Sequence, residues 1–264
     1  MTTMPTIATP FDDLGVGDPT LLMLPGWCGD RSVFEPLAAG LAAGRRVVVS
    51  DLRGQGGLAH QTEDFDSARQ IDDLVALVEE VGCDPVVPVA LSHAGWLAIE
   101  LRRRLGARRV PGVVLLDWMV LGTPPGFAEA LAGLQDPDTW QAVRGALFEM
   151  WTAGVANGSV HDYVASMGDY DFAHWSRAGR EIAAAYAREG SPLEALERLA
   201  VPCPTLHLYA QPADDGYLAA QHEAAARLGW FRVERLAATS HFPMFEVPGA
   251  MVTAIGEFAA TLVR

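Results

Sequence analysis

Positive charge is what this sequence has least of. Nineteen Lys and Arg stand against 33 Asp and Glu, for a formal net charge of −14. Phosphate backbones and anionic membrane surfaces both need a basic footprint, so neither nucleic acid nor a membrane is an expected partner. The acidic balance reads as a solvated surface that aids solubility. Cysteine is scarce too. Cys28, Cys83 and Cys203 are odd in number and widely spaced, which gives no disulfide framework and no metal motif. None of the seven histidines falls at an H-x-x-x-H or H-x-x-E-H spacing, so no metal is expected. No G-x-G-x-x-G follows the first expected strand and there is no Walker sequence, which weakens flavin, nicotinamide and nucleotide readings. No apolar run is long enough to span a bilayer. Residues 1–7 lack a basic stretch followed by an apolar one, so no signal peptide is expected and the cytoplasm is the simplest location.

What is present is an alternation. Apolar runs at Leu21–Leu24, Val47–Ser50, Val86–Leu91, Val113–Leu116, Thr205–Tyr209 and Arg232–Leu236 read as strands, mostly continuous as in strands buried on both faces. Helical patterns lie at Ser67–Val81, Gly95–Leu105, Tyr217–Leu228 and Ala250–Leu262. This predicts an α/β protein: a mostly parallel sheet with helices on both faces. Residues 123–198 break the pattern. They hold helical stretches, no convincing strand and many large side chains, among them Trp140, Phe148, Trp151, Tyr163 and Trp175. The expected organisation is a core of 1–122 and 199–264 with a helical cap insertion at 123–198. Such a cap would sit over the carboxyl ends of the strands, where open α/β sheets bind ligands.

Four loops should meet on that edge. In Val-Val-Pro-Val-Ala-Leu-Ser-His-Ala-Gly-Trp (86–96), Ser92 sits at the tip of an apolar strand before a helix, the setting of a nucleophile elbow. The usual flanking glycines are Ala90 and Ala94 here, small enough for a tight turn. Leu-Pro-Gly-Trp-Cys-Gly (24–29) can offer backbone N–H groups to an oxyanion together with that of His93. Asp-Leu-Arg-Gly-Gln-Gly (51–56) looks like a loop-bracing turn held by its own Asp–Arg pair. Asp117 ends the strand Val113–Leu116 and, as a buried carboxylate, needs a partner. Thr-Ser-His-Phe-Pro (239–243) follows the last strand. Ser92, Asp117 and His241 thus keep the Ser…Asp…His order of α/β-hydrolases. Asp214 or Asp215, after the next strand, is the alternative acid. His60 and His222 are expected at the surface and His207 as a satisfied core histidine. His161 and His174 fall in the insertion without an assigned role.

Leu-Pro-Gly-Trp-Cys (24–28), Ala-Leu-Ser-His-Ala-Gly-Trp (90–96), Asp-Trp (117–118), Gly-Ser-Pro-Leu (190–193), Tyr-Ala-Gln-Pro (209–212) and Thr-Ser-His-Phe-Pro (239–243) span nearly the whole chain. Together they resemble the cofactor-independent 3-hydroxy-4(1H)-quinolone 2,4-dioxygenases, which use the α/β-hydrolase fold without hydrolysis. The resemblance implies that His241, oriented by Asp117, removes the proton of the substrate 3-hydroxyl, with Ser92 as a hydrogen-bonding partner. It implies that the anion reacts with O2 directly, without metal or flavin, to give an N-acylanthranilate and carbon monoxide. Trp27 and His93 would hold the oxyanion at C4, and Trp151 would line the ring pocket. The quinaldine-cleaving members carry a histidine two positions after the first-loop tryptophan. Gly29 stands there in this chain, and is read as room for a longer 2-alkyl chain. The alternative is a serine hydrolase (esterase, amidase or carbon–carbon bond hydrolase) using Ser92, His241 and Asp117.

Overall fold

The computed structural model describes residues 9–61 and 63–262. The N-terminal stretch considered for targeting lies outside them. Among the described residues seven strands form one sheet: β1 (Phe11–Leu14), β2 (Thr20–Leu24), β3 (Val47–Ser50), β4 (Val86–Leu91), β5 (Val113–Leu116), β6 (Thr205–Tyr209) and β7 (Phe231–Arg235), in the spatial order β1-β3-β2-β4-β5-β6-β7. β1 runs antiparallel to β3; every other pairing is parallel. The chain moves outward from β2 to β3 on one side and resumes at β4 on the other. That reversal opens a crevice at the carboxyl ends of β2 and β4.

Side chains alternate across the sheet and build two cores. Leu21, Met23, Val87, Val89, Leu116 and Leu208 face one side, with α1 (Glu35–Ala42) and α10 (Pro248–Ala260). Leu22, Leu24, Val86, Ala90 and Leu115 face the other, with α2 (Ser67–Val81), α3 (Ala94–Arg109) and α9 (Asp215–Arg227). Burial on both faces explains why β2–β5 read as mostly continuous apolar runs, and why β6 is apolar apart from Thr205 and His207. The helix ends follow local chemistry. Asp66 caps α2 by accepting from Arg69 N, and Gly82 ends it at φ 63°. The expected end of α3 at Leu105 falls just before Gly106, whose φ of 79° interrupts the helix.

Between β5 and β6 the described residues are helical: α4 (Phe127–Leu134), α5 (Trp140–Thr152), α6 (Gly158–Ser166), α7 (Phe172–Glu189) and α8 (Pro192–Glu197). Asp171 caps α7, and Ser191 with Glu194 forms a reciprocal capping box at the start of α8. Large side chains from this segment, including Trp151, Tyr163 and Trp175, join the core that contains Trp27 and Phe242. No helix among the described residues is long and apolar enough to cross a membrane.

Candidate active site

Among the described residues, three other than glycine have a left-handed backbone: Cys28 (φ 48°), Ser92 (φ 53°) and Asp117 (φ 44°). Each follows a parallel strand at the same edge, after β2, β4 and β5. That conformation costs an L-residue of order 1–3 kcal/mol, and it clusters where geometry is held for function. At Ser92 the turn is sharp enough that α3 begins two residues later, with Gly95 N donating to Ser92 O at 2.9 Å. Gly95 is required there, because a Cβ would fall 2.2 Å from the Trp118 ring.

Asp117 is 1% exposed and fully satisfied. Its Oδ1 accepts from Ala210 N (2.5 Å) and Gln211 N (3.0 Å), and its Oδ2 lies 2.6 Å from His241 Nδ1. The two alternative acids are occupied elsewhere. Asp214 caps α9 through Tyr217 N, and Asp215 pairs with Arg235 at 2.7 Å on the surface. The His241 loop is clamped from both sides. Glu246 accepts from Thr239 N, Ser240 N and Ser240 Oγ, and Gln211 Nε2 donates to Thr239 O at 2.8 Å. Trp151, from α5, stacks on the His241 ring at 5.1 Å and 15°, and its carbonyl accepts the His241 N–H at 3.4 Å. Nothing local in the sequence announced Glu246. Gln211 stood only within the Tyr-Ala-Gln-Pro block.

Ser92, His241, Trp27, Trp151, Phe242, Met167 and Tyr163 line a pocket of about 250 Å³. Within it no hydrogen bond joins Ser92 Oγ to His241. The backbone N–H groups of Trp27 and His93 carry no hydrogen bond among the described residues. The His93 ring is caged by Trp27, Trp118, Phe127 and Tyr186. Burial, with a smaller contribution from His241, pushes its pKa down to about 3. A second cavity, about 680 Å³, shares Gly26 and Trp27 with the first. Leu52, Phe65, Trp96, Leu97 and Ile182 supply its apolar wall, and Arg53, Arg177 and Glu181 its polar one.

A family model of the alpha/beta hydrolase family matches residues 21–254. A 2-heptyl-3-hydroxy-4(1H)-quinolone dioxygenase of Mycobacteroides abscessus is 38% identical over 240 residues, 90% of this chain and 89% of that protein. A 1H-3-hydroxy-4-oxoquinoline 2,4-dioxygenase of Pseudomonas putida is 36% identical over 241 residues, 91% of each. A solved structure of an enzyme that recognises and ring-cleaves the Pseudomonas quinolone signal, bound to its substrate, superposes with a TM-score of 0.91 at 36% identity, covering 95% of each chain. The chain belongs to the 3-hydroxy-4-quinolone 2,4-dioxygenases of the α/β-hydrolase fold. The serine-hydrolase alternative is the less supported reading.

Two expectations about this dioxygenase are corrected by the geometry. Gly29 does not leave room for substrate. A Cβ there would meet the Tyr163 hydroxyl at 2.2 Å, and that hydroxyl accepts the Asp30 N–H at 3.2 Å. The space beside Gly29 is therefore filled by a tyrosine from α6. Nor is the 51–56 loop braced by its own Asp–Arg pair. Asp51 binds Arg31 at 2.5 Å, and Arg53 makes a bidentate contact with Asp73 at 2.6 and 2.8 Å. Both acids are buried, and each is paired with an arginine from outside its own loop or helix. Of the remaining histidines, His60, His161 and His222 are exposed and His174 lines the larger cavity. Among the described residues no group of three or more His, Cys, Asp or Glu could hold a metal ion.

Proposed function

We propose that this chain cleaves the heterocyclic ring of a 2-alkyl-3-hydroxy-4(1H)-quinolone with O2, giving an N-acylanthranilate and carbon monoxide, with no cofactor. The observation that carries the reading is the 2.6 Å contact of His241 Nδ1 with the buried Asp117, above a pocket walled by Trp27, Trp151 and Phe242. Asp117 leaves Nε2 of His241 as the acceptor that faces substrate, and stabilises the imidazolium formed when the 3-hydroxyl gives up its proton. The resulting anion is electron-rich enough to add O2 at C2. The peroxide closes on C4, the ring opens, and C3 leaves with its oxygen as carbon monoxide. Both atoms of dioxygen end in the product, one in the new acyl group and one in the carboxylate. The free N–H groups of Trp27 and His93 receive charge on the C4 oxygen, and Ser92 hydrogen-bonds substrate. Trp151, stacked on His241, offers a flat aromatic wall to a flat ring.

Residues 123–198 act as a cap over the core of 1–122 and 199–264 in this reading, since their side chains supply Trp151, Tyr163 and Met167 to the pocket. The adjoining cavity at Gly26 and Trp27 is where the 2-alkyl chain extends. An organic signal molecule of this class, degraded in the cytoplasm, fits such a site. The test is incubation of chelator-treated protein with a 2-alkyl-3-hydroxy-4(1H)-quinolone under air and under argon. Carbon monoxide released only under air supports the reading. Hydrolysis of p-nitrophenyl esters with fluorophosphonate labelling at Ser92, and no carbon monoxide, sinks it.

A further inference from the structure

A second buried histidine stands behind Asp117, and the reaction above leaves it unused. His207 lies on β6, in register with Leu115 of the strand that precedes Asp117, and is fully buried. Its Nδ1 is 2.6 Å from Gln221 Oε1 on α9, and the Trp118 N–H donates to its Nε2 at 3.4 Å. An amide oxygen accepts and a backbone N–H donates. Those partners fix one neutral tautomer, with the hydrogen on Nδ1 and the lone pair on Nε2. Burial acts in the same direction, pushing the pKa down to about 4. The Tyr209 ring stacks on the imidazole at 5.0 Å and 8° and restrains its rotation.

The contact matters because of what precedes Trp118. Asp117 has a left-handed backbone, so both peptides flanking it must be held. The peptide before it is held by Asp117 N donating to Leu208 O at 2.8 Å. The peptide after it is held by His207. The carboxylate itself is held by Ala210 N and Gln211 N. All three grips come from β6 and the residues that follow it, and only the His207 grip is made by a side chain. We propose that His207, its tautomer fixed by Gln221, is a positioning residue that holds the strained Asp117 turn and so keeps the carboxylate aimed at His241 Nδ1. The titratable groups around it are Asp117 at the end of β5, Tyr209 on its own strand, and Tyr217 on α9, whose hydroxyl donates to Trp118 O at 3.2 Å.

The proposal rests on His241 being the base, so the test contains both. Carbon monoxide release from 2-heptyl-3-hydroxy-4(1H)-quinolone is followed from about pH 5 to pH 9 for the wild type, His241→Ala, His207→Ala, His207→Gln and Gln221→Met, with folding checked by circular dichroism. His207→Ala should lower kcat by about tenfold to a hundredfold with KM little changed. The acid limb of kcat/KM should move roughly one unit to lower pH, because the imidazolium loses its aligned carboxylate. His207→Gln places an amide oxygen where Nε2 was and should restore most of both. Gln221→Met frees the other tautomer, which turns an N–H against the Trp118 N–H, and should shift the limb the same way. A folded His207→Ala protein with wild-type kcat and acid limb overturns the proposal, as does a His207→Gln protein no better than a folded His207→Ala. If His207→Ala does not fold, an unmoved limb in Gln221→Met overturns it and a moved limb supports it. Wild-type turnover in His241→Ala instead removes the base assignment, and this proposal with it.

Discussion

At the scale of single residues, the site separates two roles that one Ser–His–Asp order can serve. Loss of a general base costs about 10²–10⁴ in rate, so His241→Ala should lose nearly all turnover in a carbon monoxide assay. Ser92→Ala removes one hydrogen bond to substrate, worth about 0.5–1.5 kcal/mol, and should retain activity within roughly tenfold of wild type. Complete loss in a folded Ser92→Ala protein would instead make the serine a nucleophile. Gly29 gives a packing test. With the Tyr163 hydroxyl 2.2 Å from the position of a Cβ, Gly29→Ala should cost about 1–3 kcal/mol in urea denaturation through overpacking. Tyr163→Phe in the same chain should recover part of that loss. Additive costs in the two single variants would contradict the contact.

At the scale of elements, the sequence exposed what is periodic or local and hid what is assembled. α2 was legible to the residue because Asp66 and Gly82 mark its ends, and β2 to β6 because burial on both faces makes them largely apolar runs. β1 was not legible. Its centre is Asp12-Asp13, it lies at the sheet edge, and it is mostly exposed. Those aspartates are held by Arg31 and Arg46, partners 19 and 33 residues away. The same limit applied to the site. Ser92, Asp117 and His241 each announce themselves at a strand end. Gln211 and the Tyr163 that fills the space at Gly29 act across the fold, 28 and 133 residues from their partners, while Glu246 reaches back only to Thr239 and Ser240 in an irregular loop that no periodic pattern marks. Helix α7 carries a prediction of its own. Ile182 lines the larger cavity beyond Trp27. Ile182→Trp should lower kcat/KM for a 2-heptyl substrate by about tenfold while sparing a 2-methyl one, since several methylenes at about 0.8 kcal/mol each lose their place. Equal losses on both substrates would put the chain elsewhere.

At the scale of the whole molecule, the fold keeps protons off two histidines. His93 and His207 sit at about 3 and about 4 against an ordinary 6.5. Above pH 6.5 neither state takes up the proton and stability is at its full value. Below it the unfolded chain binds protons the folded one refuses, and stability falls until the folded pKa is reached. The slope is up to about 1.4 kcal/mol per pH unit for each histidine. Glu189, held at about 2 by Arg103 through a side-chain hydrogen bond, with Arg198 and Arg188 adding to it, has the same sign at lower pH. Urea midpoints should therefore drop between about pH 6.5 and pH 4; a flat profile over that range would mean the two rings are protonated in the fold. The neutrality of His93 also bears on the electron that must leave for dioxygen. An imidazolium in the aromatic cage beside Trp27 would pull down the highest filled orbital of the substrate anion and make it a poorer reductant. In the proposed reaction the two neutral backbone N–H groups of Trp27 and His93 would hold the C4 oxygen through dipoles alone. An anion held in that way would be stabilised and still oxidisable by dioxygen.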